Sequence, residues 1–286
     1  MPCYHPLDLG RGFQGHATMI VACGQCHGCR LERSRQWAVR CMHEASLYEA
    51  NCSLTLTYDA EHLRSMSLEY PDYQDFMRKL RLAIAPERVR FFMCGEYGEL
   101  YSRPHFHACI FGFSFPDRVY LRKSPAGFDL FSSKLLSGLW PHGEAAIGDL
   151  TFESAAYAAR YVMKKLTGDG EKDYYNIYDP STGEIVVRRK EFCHMSLKPG
   201  IGRDWFDRFH TDVREGRVVV NGVEAVAPRY YMRRLEKLFP DRYEDVVSAR
   251  REFESNQRKA GELRPERVAV KEVVSKARVR QLKRSL

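Results

Sequence analysis

Two stretches dense in aromatic and apolar residues, VRFFMCGEYG (Val89–Gly98) and RPHFHACIFGF (Arg103–Phe113), are separated only by a short loop around Gly98–Ser102. A parallel crossover needs roughly a dozen residues or more, so as strands the two form an antiparallel hairpin. The segment from Asn51, NCSLTLTYD, is short, Thr-rich and alternating, and reads as another strand. Helical spacing takes over between these. From Gly28 to about Glu49, Leu31, Trp37, Ala38, Cys41, Met42 and Ala45 form a broad apolar stripe, with Arg30, Arg33, Arg35 and Arg40 around much of the rest. Tyr70–Ala85 is a helix with Pro71 in its first turn and Phe76, Leu80 and Ile84 facing inward.

Further along, Ser132–Trp140 is a short helix stopped by Pro141, Ala145–Phe152 a strand, and Ser154–Leu166 a helix ended by Thr167-GDG. Helices interleave with strands that pair as hairpins, which predicts an α+β fold: a central antiparallel sheet flanked by helices, followed by a mainly helical C-terminal extension. Four segments are expected: a Cys-rich knuckle and helix (1–50), the sheet core (51–170), an irregular extension with short strands at Glu184–Arg189 and Arg217–Gly222 (171–228), and a basic helical tail (229–286). In the tail, Pro265 starts a last helix, and valines 268, 270, 273, 274 and 279 predict a modest apolar face.

Charge sharpens this division. The 286 residues carry a net charge of +8, and residues 229–286 alone hold 17 Lys+Arg against 9 Asp+Glu. The preceding 228 residues balance at 28 against 28, so basicity by itself says little about the body. At 44% hydrophobic the chain can bury a core. No apolar run approaches the roughly 18 residues of a membrane span, and the N-terminus MPCYHPLDLGRGF has no secretory pattern. A cytoplasmic protein with no membrane association is expected.

Three short patterns carry candidate chemistry. On a strand, residues i and i+2 share a face, so His105 and His107 project together while Phe106 enters the other side. Two such nitrogens suit a divalent ion completed by oxygen, and Glu96 on the neighbouring strand is preferred over Glu99 as the acidic partner. Two unrelated histidines are the alternative. On the helix from Ser154, Tyr157 and Tyr161 lie one turn apart and Lys164 continues their face, with Lys165 four residues after Tyr161. Both phenols can address one spot, or can serve as core. The third pattern, Leu54-Thr55-Leu56-Thr57, is by itself only a half-buried strand.

Taken in order, a TLT strand, a His-hydrophobe-His strand and a later helix with two tyrosines and a lysine resemble the rolling-circle replication initiators of the HUH endonuclease superfamily, two-tyrosine branch. The stretches CGQCHGCRLERSRQWAVRCMHEA, CGEYGELYSRPHFHACIFGF, TFESAAYAARYVMKKLTG and MSLKPGIGRDWF resemble, more narrowly, the replication initiation proteins of gokushovirus-type Microviridae. The resemblance implies a sheet of HUH endonuclease type and site-specific, metal-dependent nicking and rejoining of single-stranded DNA. It implies Mg²⁺ or Mn²⁺ on His105, His107 and Glu96, catalysis by Tyr157, Tyr161 and Lys164, and help from Arg160 and Lys165 at the DNA. Apart from the resemblance, the basic tail and Arg33, with Arg30 and Arg35 near the cysteines, are candidates for accessory DNA contact by their charge. The implied partners are single-stranded DNA at a phage origin and the host helicase and polymerase, in the cytoplasm of a bacterial host. The chain has no G-x₄-G-K-[ST] run to suggest a helicase of its own.

Four cysteines make a separate pattern. Cys23, Cys26 and Cys29 have C-x₂-C spacing twice over, and Cys3 is the candidate fourth thiolate of a structural Zn²⁺, with His5 or His27 as alternative ligands. Reduced thiols at the foot of the following helix are the competing reading. Two other functions remain open: a non-catalytic zinc-knuckle nucleic-acid binder, and a phosphoesterase that uses activated water.

Overall fold

The computed structural model describes residues 3–11, 18–63, 66–98, 102–161, 174–178 and 183–281. In chain order, β1 (Leu7–Arg11), β2 (Thr18–Val21), α1 (His27–Ala45), β3 (Asn51–Thr57) and α2 (Tyr70–Ala83) come first. Then follow β4 (Arg90–Tyr97), β5 (Pro104–Phe111), β6 (Val119–Lys123), β7 (Asp129–Ser132), α3 (Lys134–Leu139), β8 (Ala145–Gly148) and α4 (Phe152–Tyr161). The remainder comprises β9 (Asn176–Tyr178), β10 (Ile185–Val187), β11 (Phe192–Met195), α5 (Arg203–Phe209), β12 (Arg217–Val220), β13 (Val223–Val226), α6 (Arg229–Leu238), α7 (Pro240–Lys259) and α8 (Pro265–Gln281).

These elements form two compact units, residues 37–205 and residues 1–36 with 206–284. The first is built on a seven-stranded antiparallel sheet of order β11-β4-β5-β3-β8-β7-β6. Strand β3 alternates half-buried and buried residues along its length, so its two faces do different work. Cys52, Leu54 and Leu56 join Phe106, Ala108 and Ile110 of β5 in a core covered by Tyr73, Phe76, Met77 and Leu80 of α2 and by Leu136 and Trp140 at α3. The opposite face offers Phe92, Cys94, Cys109 and Phe111 to Ala38, Cys41 and Ala45 of α1 and Ala155, Ala158 and Ala159 of α4. Burying each large side chain contributes roughly 1.5–3 kcal/mol, and the alanines let both helices approach the sheet closely.

Local chemistry sets the ends of the elements that matter. α4 begins in a reciprocal cap: Ser154 N donates to Thr151 Oγ1 at 3.2 Å, and Thr151 N donates to Ser154 Oγ at 2.9 Å. At the turn into β8, Gly143 has φ +144°, and a Cβ there would stand 2.3 Å from Asp59 N. Only glycine fits that approach of chain to chain.

The α1–β4 contact is polar and buried. Glu44 is fully buried; its Oε1 accepts from Arg90 Nε at 2.5 Å and its Oε2 from Gly202 N at 2.6 Å. Arg90 also donates to Pro199 O at 2.6 Å, so one ion pair ties α1, β4 and the 199–202 turn together.

The second unit holds the β1–β2 and β12–β13 hairpins and the helices α6, α7 and α8. Its buried residues include Phe206, Val218, Tyr231, Met232, Leu235 and Val246.

The structure adds to the sequence reading at three places. The units do not follow four consecutive segments: β11, expected in an extension outside the core, is an edge strand of the central sheet beside β4. A four-residue strand has too little periodicity to declare its partner. The last helix begins at Pro265 as expected, and its modest apolar face stays largely uncovered, since α8 buries no residue and Val270 and Val273 are 50% and 68% exposed. The β1–β2 and β6–β7 hairpins were not foreseen at all, because mostly exposed strands show little apolar alternation.

Glu44→Ala leaves Arg90 without its carboxylate in a largely buried setting. A loss of about 3 kcal/mol is expected in chemical denaturation of the full chain.

Candidate metal centre and tyrosine helix

The register of β4, β5 and β3 sets opposite one another the residues singled out from the sequence. Glu96 is the cross-strand partner of His105, Thr57 pairs with His105 on the other side, and Thr55 pairs with His107. Alternation then sends Phe106 into the core against α2 and leaves both imidazoles on the sheet face that carries α1 and α4. The rings of His105 and His107 stand edge to face, 4.9 Å apart.

Their Nε2 atoms converge on one oxygen. His105 Nε2 lies 2.7 Å from Glu96 Oε1, and His107 Nε2 lies 2.8 Å from the same atom. All three side chains are shielded, with Glu96 2% exposed, His107 8% and His105 15%. Burial pushes the Glu96 carboxyl up, but hydrogen bonds from His105 and His107 outweigh it and hold the group below the ordinary carboxylate range.

The outer nitrogens are also engaged. His105 Nδ1 lies 3.0 Å from Arg103 O, which only accepts, so a proton on Nδ1 finds its partner there when Nε2 faces a cation. His107 Nδ1 lies 3.1 Å from Thr55 Oγ1. Both rings are thus oriented with Nε2 turned inward, as metal-ligating histidines are.

The donor set fits a divalent cation. Two nitrogens and a carboxylate oxygen face one point, and ligands bound at 2.0–2.1 Å in octahedral geometry sit about 3 Å apart, close to the spacing found here. Among the described residues Glu96 Oε2 is buried without a hydrogen-bond partner, an orphan that a cation would satisfy.

Tyr157, in the middle of α4, sets its ring edge to face against His107 with centroids 4.9 Å apart. The capped start of the helix and the alanines beneath it fix where this phenol sits. Tyr161 is the last residue of α4, one turn on; its side chain and that of Arg160, together with Lys164 and Lys165, lie outside the described residues. A cavity of about 230 Å³ adjoins His107 and Thr55, walled also by Ser53, Phe128, Asp149 and Ser154. Neither Thr55 nor the Arg103 carbonyl was picked out as a site group from the sequence. The Thr-Leu alternation was the available signal for Thr55, whereas a backbone carbonyl leaves none.

In the other unit, Cys3, Cys23, Cys26 and Cys29 also converge, their sulfurs within 4.8 Å of one another. Burial pushes the Cys26 thiol up, but hydrogen bonds from the Cys29 and Tyr4 backbones and the neighbouring thiols bring it down to about 6. His5 instead meets Glu272 at 3.0 Å, and His27 is not one of the converging groups. Arg33 is exposed on α1.

A histidine-and-glutamate centre in an antiparallel sheet with a tyrosine helix beside it defines a class: residues 51–166, which contain these parts, match the family model for the replication-associated protein ORF2/G2P. Similarity extends well beyond that region. The chain is 32% identical over 266 residues to the replication-associated protein VP4 of Bdellovibrio phage phiMH2K, covering 85% of this chain and 80% of that protein. It is 31% identical to the replication-associated protein ORF2 of Spiroplasma virus 4, covering 81% of this chain and 73% of the relative. It is 30% identical to the replication-associated protein ORF4 of Chlamydia phage 1, covering 76% of this chain and 54% of the relative. The chain belongs to this family of phage replication-associated proteins. No solved structure matches it. Among the described residues, no helix is long and apolar enough to cross a membrane.

Because the Glu96 carboxyl is held low, the stability its charge contributes is complete above the ordinary carboxylate range and is lost as pH falls through the lowered value. Glu96→Gln is therefore expected to destabilise the metal-free protein near neutrality. The gap to wild type should close on acidification, as read by urea denaturation across pH.

Proposed function

We propose that the chain initiates rolling-circle replication of a phage genome by nicking single-stranded DNA at the origin and rejoining it through a tyrosine ester. The observation that carries this reading is the convergence of His105 Nε2 and His107 Nε2 on Glu96 Oε1, with the Tyr157 ring 4.9 Å from His107. Supporting it, the relatives are named replication-associated proteins.

Glu96, His105 and His107 would hold Mg²⁺ or Mn²⁺. When bound, the ion neutralises charge that develops on the phosphoryl oxygens during transfer. Nitrogen ligands make Mn²⁺ as natural a tenant as the oxygen-preferring Mg²⁺. Thr55 and the Arg103 carbonyl keep the imidazole rings in register, so little reorganisation is required as the DNA arrives.

Tyr157, whose ring lies against His107, and Tyr161 are the two candidate nucleophiles, and either makes the first cut. The attacking phenol oxygen forms a bond to the scissile phosphorus while losing its proton. The bond from phosphorus to the 3′ oxygen breaks, and that oxygen takes up a proton to become a free 3′-OH. The product is a 5′-phosphotyrosine, and the 3′-OH primes the host polymerase. The other tyrosine, one turn away along the same helix, makes the second cut after one round. The 3′-OH released then attacks the first ester and closes the circle, restoring the first tyrosine.

Lys164 is assigned to the phosphate or phenolate, and Arg160, Lys165 and Arg33 to the DNA backbone. The net +8 of residues 229–286 adds a salt-sensitive attraction for phosphates. Strand separation falls to a host helicase, and the setting is the cytoplasm of the infected bacterium.

The full chain, incubated with Mn²⁺ and an origin oligonucleotide, is expected to form a covalent protein–DNA adduct visible on a denaturing gel. Tyr157→Phe/Tyr161→Phe should abolish it. An adduct surviving that double change sinks the proposal, and cleavage with no adduct at all points to activated water instead.

Mn²⁺ affinity, measured by calorimetry, is expected to fall about 100-fold or more in His107→Ala and about 10-fold in Thr55→Val, which loses only the orienting hydroxyl. It should also weaken on acidification, because protons compete for the ligand atoms.

A further inference from the structure

The geometry of the four N-terminal cysteines carries an inference that stands independently of the nickase reading. Sulfur–sulfur distances are 3.7 Å for Cys3–Cys23, 4.0 Å for Cys23–Cys29 and 4.0 Å for Cys3–Cys26. These lie far outside disulfide bonding, where the sulfurs are about 2.05 Å apart. They match the edge of a thiolate tetrahedron: four sulfurs bound at about 2.3 Å to one Zn²⁺ stand about 3.8 Å from one another.

The surrounding backbone is arranged for thiolates. Cys23 N donates to Cys3 Sγ at 3.3 Å, Cys26 N to Cys23 Sγ at 3.2 Å and Tyr4 N to Cys26 Sγ at 3.4 Å. Gly24, inside the Cys-Gly-Gln-Cys turn, has φ +75°, a conformation that lets the chain fold back on its own sulfurs. Cys29 lies in the first turn of α1 and Cys26 just before it, where the helix N-terminus favours negative charge.

A second observation says what such a site is for. The β1–β2 hairpin is a two-stranded sheet of its own, and Leu7, Leu9, Met19 and Ile20 are 50–59% exposed. An isolated hairpin with so little burial is marginal in water. Cys3 precedes β1 and Cys23 follows β2, so the two close the base of this hairpin, while Cys26 and Cys29 join it to α1. Cross-linking at that spot supplies the stability that burial does not.

We infer that Cys3, Cys23, Cys26 and Cys29 bind one structural Zn²⁺ that fastens the N-terminal hairpin to the start of α1. Binding forms four sulfur–zinc bonds and releases to solvent whatever protons the thiols still hold. No position is left open for water, so the site is structural rather than catalytic.

Elemental analysis of the purified full chain is expected to find one zinc per chain that persists through dialysis against EDTA. Titration of the thiols with a mercurial should release it, read by a colorimetric zinc indicator. Cys3→Ser and Cys26→Ser should lose the zinc, whereas Cys193→Ser and the double change His105→Ala/His107→Ala should keep it. Protein grown with Co²⁺ should show the visible absorption of a tetrahedral thiolate site. On mercurial release, amide exchange should accelerate in β1–β2 while the seven-stranded sheet stays protected. Iron in place of zinc overturns the inference. So does zinc that disappears with the histidines rather than the cysteines, or metal-free native protein whose four thiols react freely with Ellman's reagent. None of these results bears on whether Tyr157 attacks DNA.

Discussion

Strand β5 is paired on both sides, to β4 and to β3, and those two registers govern everything chemical in the sheet unit. Slipping either by one residue would turn Glu96, Thr55 or the histidine pair to the opposite face, into the packing against α2. Pairing in the observed register places a carboxylate beside His105, a hydroxyl beside His107 and Phe106 in the core. The hydrophobic demand on Phe106, Leu54 and Leu56 and the polar demand on their neighbours are met by one register, and each reinforces the other.

The helices on the site face approach the sheet through small residues. Ala155, Ala158 and Ala159 bring α4 close enough for Tyr157 to lie against His107, while the Thr151–Ser154 cap decides where that helix begins. Arg90 at the far end of β4 is held by Glu44, so the strand that supplies Glu96 is tied to α1 as well as to its neighbours. Apolar packing and one buried ion pair thus set the position of a carboxylate six residues further along.

Membership in the replication-associated family and the distribution of charge support each other. The first 228 residues balance at 28 basic against 28 acidic, so the cation proposed for the histidine site would add positive charge to a body that carries no net excess. The tail's excess, proposed to attract DNA phosphates, holds none of the groups assigned to the chemistry. The two sets of candidate ligands also differ in kind: nitrogen and oxygen donors with an orphaned carboxylate oxygen at one, and a closed set of four sulfurs at the other.

Much of this was legible in the chain itself. Alternation in Asn51–Thr57, the short loop before His105 and the helical spacing around Tyr157 are local signals, set by backbone periodicity, and they were enough to read an antiparallel α+β core and its histidine pair. The i, i+2 rule already put both imidazoles on one face. The neighbouring hairpin strand already made Glu96 the preferred acidic partner, and tertiary structure added the register that brings its Oε1 to both rings. Tertiary structure alone recruited Thr55 and the Arg103 carbonyl, moved β11 into the central sheet, left Val270, Val273 and Val274 of α8 exposed and brought Cys3 to cysteines twenty and more residues away. Those outcomes depend on pairing between distant segments, and such pairing is decided by shape and burial that no local pattern records.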